Sequence, residues 1–281
     1  MTGTDIKKDF SDWLVVTDID GTLRNKLRFL PKRNYEAIRE FVEEKHGKFT
    51  LASGRNVKSI ISPYNSLPMI KGMPVVILNG AGVYDVENDK ILNFEPISQE
   101  GKLLLRETIE RFPKLEVEIL TPRSAYAINA KIFARLMLKF DGVPNKLYKS
   151  FDDVPDDEWG KMILFGPPPL VSKAKSFLLG IDNPPVSFMS SSISSFEMTA
   201  KGVNKGTSVL KIAEMLGIEW KHTAAIGDYF NDYEMLKAVN LSACCGQAPK
   251  ELHKIVKYEA CHCNYGAVGD LLEYLMYRYK E

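Results

Sequence analysis

The chain has 281 residues, of which 45% are apolar and 26% are charged. Lys and Arg number 37 and Asp and Glu number 36, and this balance argues against a nucleic-acid-binding protein built on a global basic field. No apolar run approaches the ~18 residues that a membrane-spanning helix needs, and residues 1–13 lack the apolar segment of a secretory signal. We therefore expect a cytoplasmic globular protein that binds neither nucleic acid nor membrane.

The N-terminal part alternates short apolar strands with helical patterns. Residues 14–17 predict a strand, 31–44 an amphipathic helix, 48–52 a second strand, 56–66 a short helix and 74–78 a third strand. Because these strands are apolar on both faces, they are typical of a buried parallel sheet with helices on each side.

The middle of the chain has a different pattern. Residues 83–94 predict a hairpin that turns at 87–90. Helices and strands then follow in an order that indicates two αββ-like units, and hence an α+β module inserted into the parallel-sheet domain. The predicted helices are 99–111, 130–140 and 170–179, and the predicted strands are 116–120, 124–129, 161–165 and 186–189.

The parallel-sheet pattern returns near the C-terminus. Helices are predicted at 205–216, 232–238 and 267–279, with strands at 223–226 and 241–244. This half of the chain therefore completes the α/β domain begun by the N-terminal strands.

All four cysteines, Cys244, Cys245, Cys261 and Cys263, lie in the last forty residues. Their spacing contains no C-x2-C pair, which makes a zinc site a weak alternative. We predict instead that Cys244 and Cys245 are buried or half-buried thiols on opposite faces of a strand. A disulfide framework is not expected without a secretory signal.

The first motif that carries chemistry follows the strand at 14–17. Asp18 and Asp20 are two residues apart, so both carboxylates can project from the carboxyl end of the strand, where open α/β sheets bind ligands. Gly21 allows a sharp turn, and the Thr22 hydroxyl can hold it. An acidic turn without function is the alternative.

The second motif follows the strand at 223–226. Asp228 and Asp232 are four residues apart and can face one cavity if a helix begins there. Two or three oxygen ligands beside a phosphate describe a Mg²⁺ site. The alternative is that Asp228 or Asn231 only caps the helix that starts near Asp232.

Two further candidates concern phosphate. Ser53 and Gly54 follow the strand at 48–52, where a hydroxyl and free backbone N–H groups can cradle an anion. Lys205 precedes a helix and can neutralise phosphate and carboxylate charge together. In the alternative reading, Ser53 is a helix cap, and Arg55 and Lys205 are solvated charges.

Together and in this order, these motifs resemble those of the haloacid dehalogenase superfamily of phosphohydrolases, specifically its Cof-like branch. The middle of the chain matches only in size and placement. The matching segments are DIDGT at 18–22, SGR at 53–55, NGA at 79–81, FEMTAKGVNKG at 196–206 and GDYFND at 227–232. The chain departs from the family pattern at Tyr229, where a small residue is usual, at Gln247, where Asn is usual, and over 265–268.

The resemblance implies a two-step phosphoryl transfer. Asp18 is then the nucleophile that forms an aspartyl-phosphate, and Asp20 is the general acid and base. Mg²⁺ is held by Asp18, the backbone carbonyl of Asp20 and Asp228, with Asp232 as a ligand or close behind one.

The same resemblance assigns the phosphoryl oxygens to Ser53, the Gly54 N–H, Lys205 and Asn231. It implies a Rossmann-like parallel-sheet core with helices on both faces, formed by residues 1–82 and 190–281. Residues 83–189 form an inserted α+β cap domain.

The expected activity is Mg²⁺-dependent hydrolysis of a small phosphorylated metabolite, a sugar phosphate or a related monoester, by a monomer or small homo-oligomer. A phosphomutase with the same aspartates and a non-enzymatic binding module are the alternatives.

Overall fold

The computed structural model describes residues 9–279 and divides the chain into two compact units. The first unit comprises Met1–Ala52, Pro63–Val75 and Val209–Glu281, and the second comprises Ser53–Ser62 and Val76–Ser208. No helix within residues 9–279 combines the length and apolar character needed to cross a bilayer. The prediction that no secretory signal is present concerns residues 1–13, of which 1–8 lie outside the described residues.

The first unit contains a five-stranded parallel sheet. Numbered along the whole chain, its strands are β1 (Leu14–Thr17), β2 (Lys48–Leu51), β12 (Thr223–Gly227), β13 (Leu241–Cys244) and β14 (Tyr258–Glu259). The spatial order is β14-β13-β12-β1-β2. In the register, Thr17 of β1 lies opposite Ile226 of β12, so the segments after these two strands leave the sheet side by side.

Helices accompany this sheet, as the sequence predicts for a Rossmann-like core. Gly269 marks the close approach of the first and last of them, because a Cβ there would lie 2.8 Å from the Arg33 carbonyl oxygen. The helices are α1 (Lys32–Arg39), which continues as a π-helical turn (Glu40–Glu44), α7 (Tyr233–Ala238), α8 (Lys250–His253) and α9 (Ala267–Tyr277). Helices α2 (Val57–Asn65) and α6 (Lys205–Met215) have residues in both units.

The second unit is built on a six-stranded sheet of order β10-β11-β9-β6-β7-β8. All its pairs are antiparallel except β7 with β8, which are parallel. The strands are β6 (Glu116–Leu120), β7 (Ala125–Ile128), β8 (Asn145–Tyr148), β9 (Lys161–Phe165), β10 (Val186–Ser192) and β11 (Ser195–Ala200); the helices are α3 (Gln99–Arg111), α4 (Phe133–Asp141) and α5 (Pro168–Leu179). The predicted α+β module is therefore present as a mostly antiparallel sheet with its own helices.

A separate three-stranded sheet contains β3 (Val75–Ile77), β4 (Gly82–Asp85) and β5 (Lys90–Phe94). The antiparallel pair β4–β5 confirms the predicted hairpin. The prediction that residues 74–78 belong to the parallel core sheet is wrong. A single turn, Leu78–Gly80, joins β3 to β4, so this short apolar run pairs with the strand that follows it.

The predicted junction between residues 189 and 190 falls inside β10, which continues to Ser192. Beyond it, β11 pairs with β9 from Ser195 opposite Phe165 to Thr199 opposite Lys161. A cap defined by this sheet would end at Ala200. The division into residues 1–82 with 190–281 and residues 83–189 remains a prediction.

The cysteines are free thiols. Cys244, Cys245 and Cys263 are buried and Cys261 is half-buried, which confirms the predicted burial of the first two. Strand β13 ends at Cys244, so Cys245 lies one residue beyond the strand to which it was assigned. Burial, with a smaller contribution from the nearby Glu259 carboxylate, raises the pKa of the Cys244 thiol to about 11, so this thiol stays protonated at neutral pH.

Candidate active site

Asp18 is the first residue after β1 and is buried. Its backbone N–H donates to the Ile226 carbonyl (3.0 Å), which continues the pairing of β1 with β12 by one residue. Its own carbonyl accepts the Leu23 N–H (3.2 Å), and the Arg24 N–H donates to the Ile19 carbonyl (2.8 Å). These bonds close the DIDGT segment into a tight loop that fixes Asp18 at the sheet edge.

Asp228 and Asp232 occupy the neighbouring loop, which follows β12. The Asp232 Oδ2 atom accepts the backbone N–H groups of Asp228 (2.9 Å) and Tyr229 (3.2 Å). The backbone-capping role that the sequence offered to Asp228 or Asn231 therefore falls to Asp232. These two bonds fix the direction of its buried carboxylate.

One carboxylate oxygen from each of Asp18, Asp228 and Asp232 lies within 4.8 Å of the other two. Three carboxylates so close together repel one another unless a cation lies among them, and oxygen ligands suit a hard divalent cation. The backbone is close as well, since a Cβ on Gly21 would lie 2.4 Å from Asp228 Oδ2 and one on Gly227 would lie 2.4 Å from Asp232 Cγ. The cluster therefore fits a divalent metal ion.

A hydroxyl and a buried thiol lie near the cluster. The Thr22 hydroxyl donates to Asp228 Oδ1 (3.3 Å). Burial raises the pKa of the Cys245 thiol well above its usual range, and the charge of Asp228 adds to the effect. Cys245 is therefore a neutral neighbour of the carboxylates.

The Gln247 side chain contacts the DIDGT loop through a hydrogen bond. Its Nε2 donates to the Gly21 carbonyl (2.7 Å), and its Oε1 accepts the Cys263 N–H (3.0 Å). The position where the family usually has Asn thus holds a longer amide that bridges the DIDGT loop and residue 263.

Ser53 and Gly54 lie in the second unit, and backbone bonds hold them. The Ser53 N–H donates to the Val76 carbonyl (3.0 Å), and the Ser53 carbonyl accepts the Asn79 N–H (3.0 Å). The buried Ser53 hydroxyl accepts the Arg55 N–H (3.3 Å). The contact of this hydroxyl with phosphate remains a prediction.

A buried ion pair, which the sequence reasoning missed, adjoins Gly54. Lys161 Nζ donates to the Gly54 carbonyl (3.1 Å) and lies 3.4 Å from Glu197 Oε2. The same oxygen accepts the Asn79 amide (2.6 Å). A signal existed, because Asn79 and Glu197 lie within the NGA and FEMTAKGVNKG segments, but neither residue was assigned a role.

Lys205 is the first residue of α6 and is completely buried. Asn204 Oδ1 caps this helix by accepting the Thr207 N–H (3.0 Å). Gly80, at φ +105°, lets the NGA turn approach, since a Cβ there would lie 2.1 Å from the Asn204 carbonyl oxygen. Lys205 is thus a buried cation at a rigid helix start and not a solvated charge.

The structure therefore places the predicted residues in two groups, one in each unit. Asp18, Asp228 and Asp232 form the acidic cluster of the first unit. Asp20 is exposed two residues beyond Asp18, and Asn231 is half-buried beside Asp232. The second group consists of Ser53, Gly54 and Lys205.

A family model for haloacid dehalogenase-like hydrolases matches residues 15–272 of the chain. The chain belongs to this family. The match spans both motif-bearing ends and the middle segment, and it confirms the predicted membership in the haloacid dehalogenase superfamily and its Cof-like branch.

Relatives of this hydrolase carry phosphatase names. The 5-amino-6-(5-phospho-D-ribitylamino)uracil phosphatase YcsE of Bacillus subtilis is 26% identical over 90% of this chain and 91% of its own. The phosphatase YwpJ of the same organism is 23% identical over 94% of this chain and 99% of its own. The predicted enzyme class, a phosphoric monoester hydrolase of the haloacid dehalogenase type, is confirmed.

A solved structure shares the fold of this hydrolase. A haloacid dehalogenase-like hydrolase from Bacteroides thetaiotaomicron superimposes with a TM-score of 0.80 at 21% identity, covering 94% of this chain and 99% of that one. The predicted fold class, a Rossmann-like parallel-sheet core with an α+β insertion, is thereby confirmed.

Proposed function

We propose that this hydrolase is a Mg²⁺-dependent phosphatase that cleaves small phosphate monoesters through an aspartyl-phosphate. The observation that carries the proposal is the cluster of Asp18, Asp228 and Asp232 at the ends of two adjacent parallel strands. The family membership supports the reaction class, and the carboxylate chemistry supports the choice of metal.

Asp18, Asp228 and Asp232 are the side chains that would hold the ion, together with the backbone carbonyl of Asp20. Bound Mg²⁺ would offset the repulsion between a carboxylate nucleophile and a phosphate dianion. The hydrogen bonds to Asp232 Oδ2 and Asp228 Oδ1 orient these carboxylates before any ligand arrives.

In the proposed reaction, a carboxylate oxygen of Asp18 forms a bond to phosphorus as the bond to the ester oxygen breaks. Asp20 donates its proton to that leaving oxygen. Asp20 then takes a proton from a water molecule that attacks phosphorus, the bond to Asp18 breaks, and inorganic phosphate leaves. The exposed side chain of Asp20 is compatible with exchange of protons with solvent.

The transferred phosphoryl oxygens would be held by Ser53, the Gly54 N–H, Lys205 and Asn231. Burial of Lys205 and Ser53 supports these roles, because a cation and a hydroxyl shielded from water interact more strongly with an anion.

We propose a sugar phosphate or a related phosphorylated metabolite as the substrate. One relative acts, by its name, on a phosphorylated ribitylamino compound, and a sugar phosphatase of subclass IIB shares this fold with a TM-score of 0.79. We further place the reaction in the cytoplasm, because the free thiols suit a reducing compartment.

The test replaces Asp18 by Asn, which keeps the size of the side chain but removes the nucleophile. With Mg²⁺ and a panel of phosphorylated metabolites, phosphate release should fall by at least a thousandfold. Asp182→Asn, at an exposed position, is the matched control and should keep full activity. Substantial turnover by the Asp18→Asn protein would show that the nucleophile is misassigned, and isomer formation without stoichiometric phosphate release would favour a phosphomutase.

A further inference from the structure

The segment Ser53–Arg55, which we call the phosphate loop, has all three of its backbone carbonyls hydrogen-bonded within the second unit. The first and third carbonyls accept the backbone N–H groups of Asn79 (3.0 Å) and Leu78 (2.9 Å), respectively. The carbonyl between them, that of Gly54, accepts a side chain instead, the Lys161 ammonium group (3.1 Å). Two of the three bonds therefore do not depend on side-chain type, whereas the third requires the side chain at position 161.

Lys161 contacts the phosphate loop because glycines stand at two neighbouring positions. Gly160 precedes it, and a Cβ there would lie 2.7 Å from Leu78 Cδ1, so a larger residue would push the start of β9 away from the NGA turn. A Cβ on Gly54 would lie 2.9 Å from Asn79 Oδ1 and 3.2 Å from Lys161 Nζ. The absence of side chains at positions 54 and 160 therefore allows the ammonium group to reach the loop.

A buried carboxylate orients the Lys161 side chain. In the register of β9 with β11, Lys161 lies opposite Thr199, so Glu197 is its diagonal neighbour on the same face of the sheet. Glu197 Oε2 lies 3.4 Å from Lys161 Nζ and also accepts the Asn79 amide (2.6 Å). Lys161, Glu197 and Asn79 are all buried, so water competes little for these contacts. The ammonium group is therefore held in place from two sides, by the Glu197 carboxylate and by the phosphate loop.

The peptide bond between Gly54 and Arg55 connects this ammonium group to the Ser53 hydroxyl. The bond is trans, since the described part of the chain contains no cis peptide bonds. The carbonyl and N–H groups of a trans peptide lie in one plane and point in opposite directions. Lys161 on the Gly54 carbonyl therefore directs the Arg55 N–H away from itself, and that N–H donates to Ser53 Oγ (3.3 Å).

This hydrogen bond determines which role the Ser53 hydroxyl can play. A hydroxyl oxygen that accepts one hydrogen bond still has its own hydrogen to donate, and this hydrogen is the one proposed to contact a phosphoryl oxygen. The Gly54 N–H does not depend on Lys161, because the carbonyl of the same peptide, that of Ser53, is held by the Asn79 N–H (3.0 Å). Lys161 therefore acts on the hydroxyl and not on the neighbouring N–H.

We propose that Lys161, held by Glu197, is a positioning residue that fixes the Ser53 hydroxyl toward the transferred phosphoryl group through the Gly54–Arg55 peptide. The proposal rests on the proposed phosphatase function, because it takes Ser53 as a phosphate ligand. In this role, Lys161 contacts neither the phosphoryl group nor the leaving group. Without its ammonium group, the peptide can rotate and the hydroxyl loses its fixed direction.

A double-mutant cycle tests this role with phenyl phosphate, whose leaving group presents no hydroxyl to Lys161. Lys161→Met should lower kcat/KM by at least about tenfold in the parent protein. In the Ser53→Ala background, where the hydroxyl is already absent, the same change should cost less than about twofold. The Kd of inorganic phosphate in the presence of Mg²⁺, measured by calorimetry, gives the same comparison without turnover and should rise about fivefold in the parent background only.

The matched control is Lys175→Met. Lys175 donates to Ser190 Oγ (2.8 Å) and lies over the Phe196 ring, 5.5 Å from its centroid. Because Phe196 alternates with Glu197 along β11, this lysine is on the opposite face of the same sheet. Its replacement should change neither kcat/KM nor the Kd of phosphate.

A second form of the cycle guards against a folding defect. Lys161→Met alone leaves the Glu197 charge buried without its partner, so the cycle is repeated with Lys161→Met/Glu197→Gln, in which neither charge remains. Thermal unfolding shows whether each variant is folded. The expected dependence on the Ser53 hydroxyl is the same in both forms of the cycle.

Equal factors for Lys161→Met with and without the Ser53 hydroxyl would overturn the positioning role, because a purely structural effect or a direct contact with substrate does not depend on that hydroxyl. Unchanged kcat/KM and Kd in the folded Lys161→Met protein would also overturn it. Either result leaves the phosphatase function standing as long as the parent protein releases phosphate. Failure of the parent to release phosphate from phenyl phosphate and from the panel of metabolites would overturn the phosphatase function, and the positioning role with it.

Discussion

Removing one partner of the buried Lys161–Glu197 ion pair should destabilise the second unit more than removing both. The two side chains are 7% and 9% exposed, and their charged atoms are 3.4 Å apart. At an effective dielectric constant of ~20, two unit charges at this separation attract each other by ~5 kcal/mol. In Lys161→Met or Glu197→Gln alone, one charge stays buried without its partner.

Each single variant should therefore lose about 3–5 kcal/mol of stability. The double variant loses the attraction, but it no longer has the free-energy cost of burying two charges. Its loss of stability should therefore not exceed that of the milder single variant. Native-state hydrogen exchange of the amides in β9 and β11 measures the free energy of opening at these strands.

The matched control is the exposed pair Arg106–Glu110 of α3, whose side chains are 41% and 69% exposed. Arg106→Met and Glu110→Gln should each cost less than about 1 kcal/mol. If the losses from Lys161→Met and Glu197→Gln simply add in the double variant, the two side chains are not energetically coupled and the reasoning is wrong.

Chelation by EDTA should abolish phosphate release and added Mg²⁺ should restore it, while Asp228→Ala should need at least tenfold more Mg²⁺ for half-maximal rate because one of three clustered carboxylates is lost. Gly21→Ala should lower kcat and cost about 1–3 kcal/mol in urea unfolding, because the new Cβ would lie 2.4 Å from Asp228 Oδ2. Gly72→Ala, also at positive φ but with nothing within 4 Å, is its control. At the surface, the Arg33 guanidinium holds the pKa of Glu273 below its usual 4.5. The Arg33–Glu273 pair therefore contributes at most about 1 kcal/mol to the free energy of unfolding. This contribution is full above pH 4.5 and is lost as the pH falls through the lowered pKa. Thermal unfolding of Glu273→Gln against the parent protein should show that loss.

Three results would contradict these expectations. Full turnover in the chelated protein would exclude the metal from the reaction. Equal kcat losses in Gly21→Ala and Gly72→Ala would mean that backbone strain, and not the contact with Asp228, sets the effect. The Arg33–Glu273 pair is expected to lose its stabilising effect as the pH falls. A stability difference between Glu273→Gln and the parent that instead grows below pH 4 would contradict this expected pH dependence.

The strands whose apolar residues follow the expected period were predicted within a residue or two, as for β1, β6 and β9. Strand β11 was missed although Phe196 to Ala200 alternate apolar and polar residues as a strand does, because the segment was interpreted only as a motif that leads to Lys205. Helix α4 begins at Phe133 and not at 130, because the Glu116 carboxylate accepts the N–H groups of Lys131 and Ala134. A side chain fifteen or more positions away leaves no local signal of such a cap.

The candidate site was predicted to the extent that its residues follow strand ends. Asp18 and Asp228 come from adjacent parallel strands, and the rule for open α/β sheets sets such residues side by side. Lys161 and Glu197 were not predicted, because their buried ion pair depends on the strand register that pairs β9 with β11. Sequence separation alone cannot supply that register.

The strand order of the five-stranded sheet also determines when its strands can pair while the chain is being synthesised. Thr22 and Asp228, which share a hydrogen bond, are 206 positions apart. At ~5–20 residues per second, a ribosome makes the second of them ~10–40 s after the first. During this interval the second unit can fold as it emerges, whereas β1, apolar on both faces, waits for β12 with one edge exposed. A ribosome that stalls before residue 223 would therefore release a chain with an aggregation-prone strand and an incomplete acidic cluster.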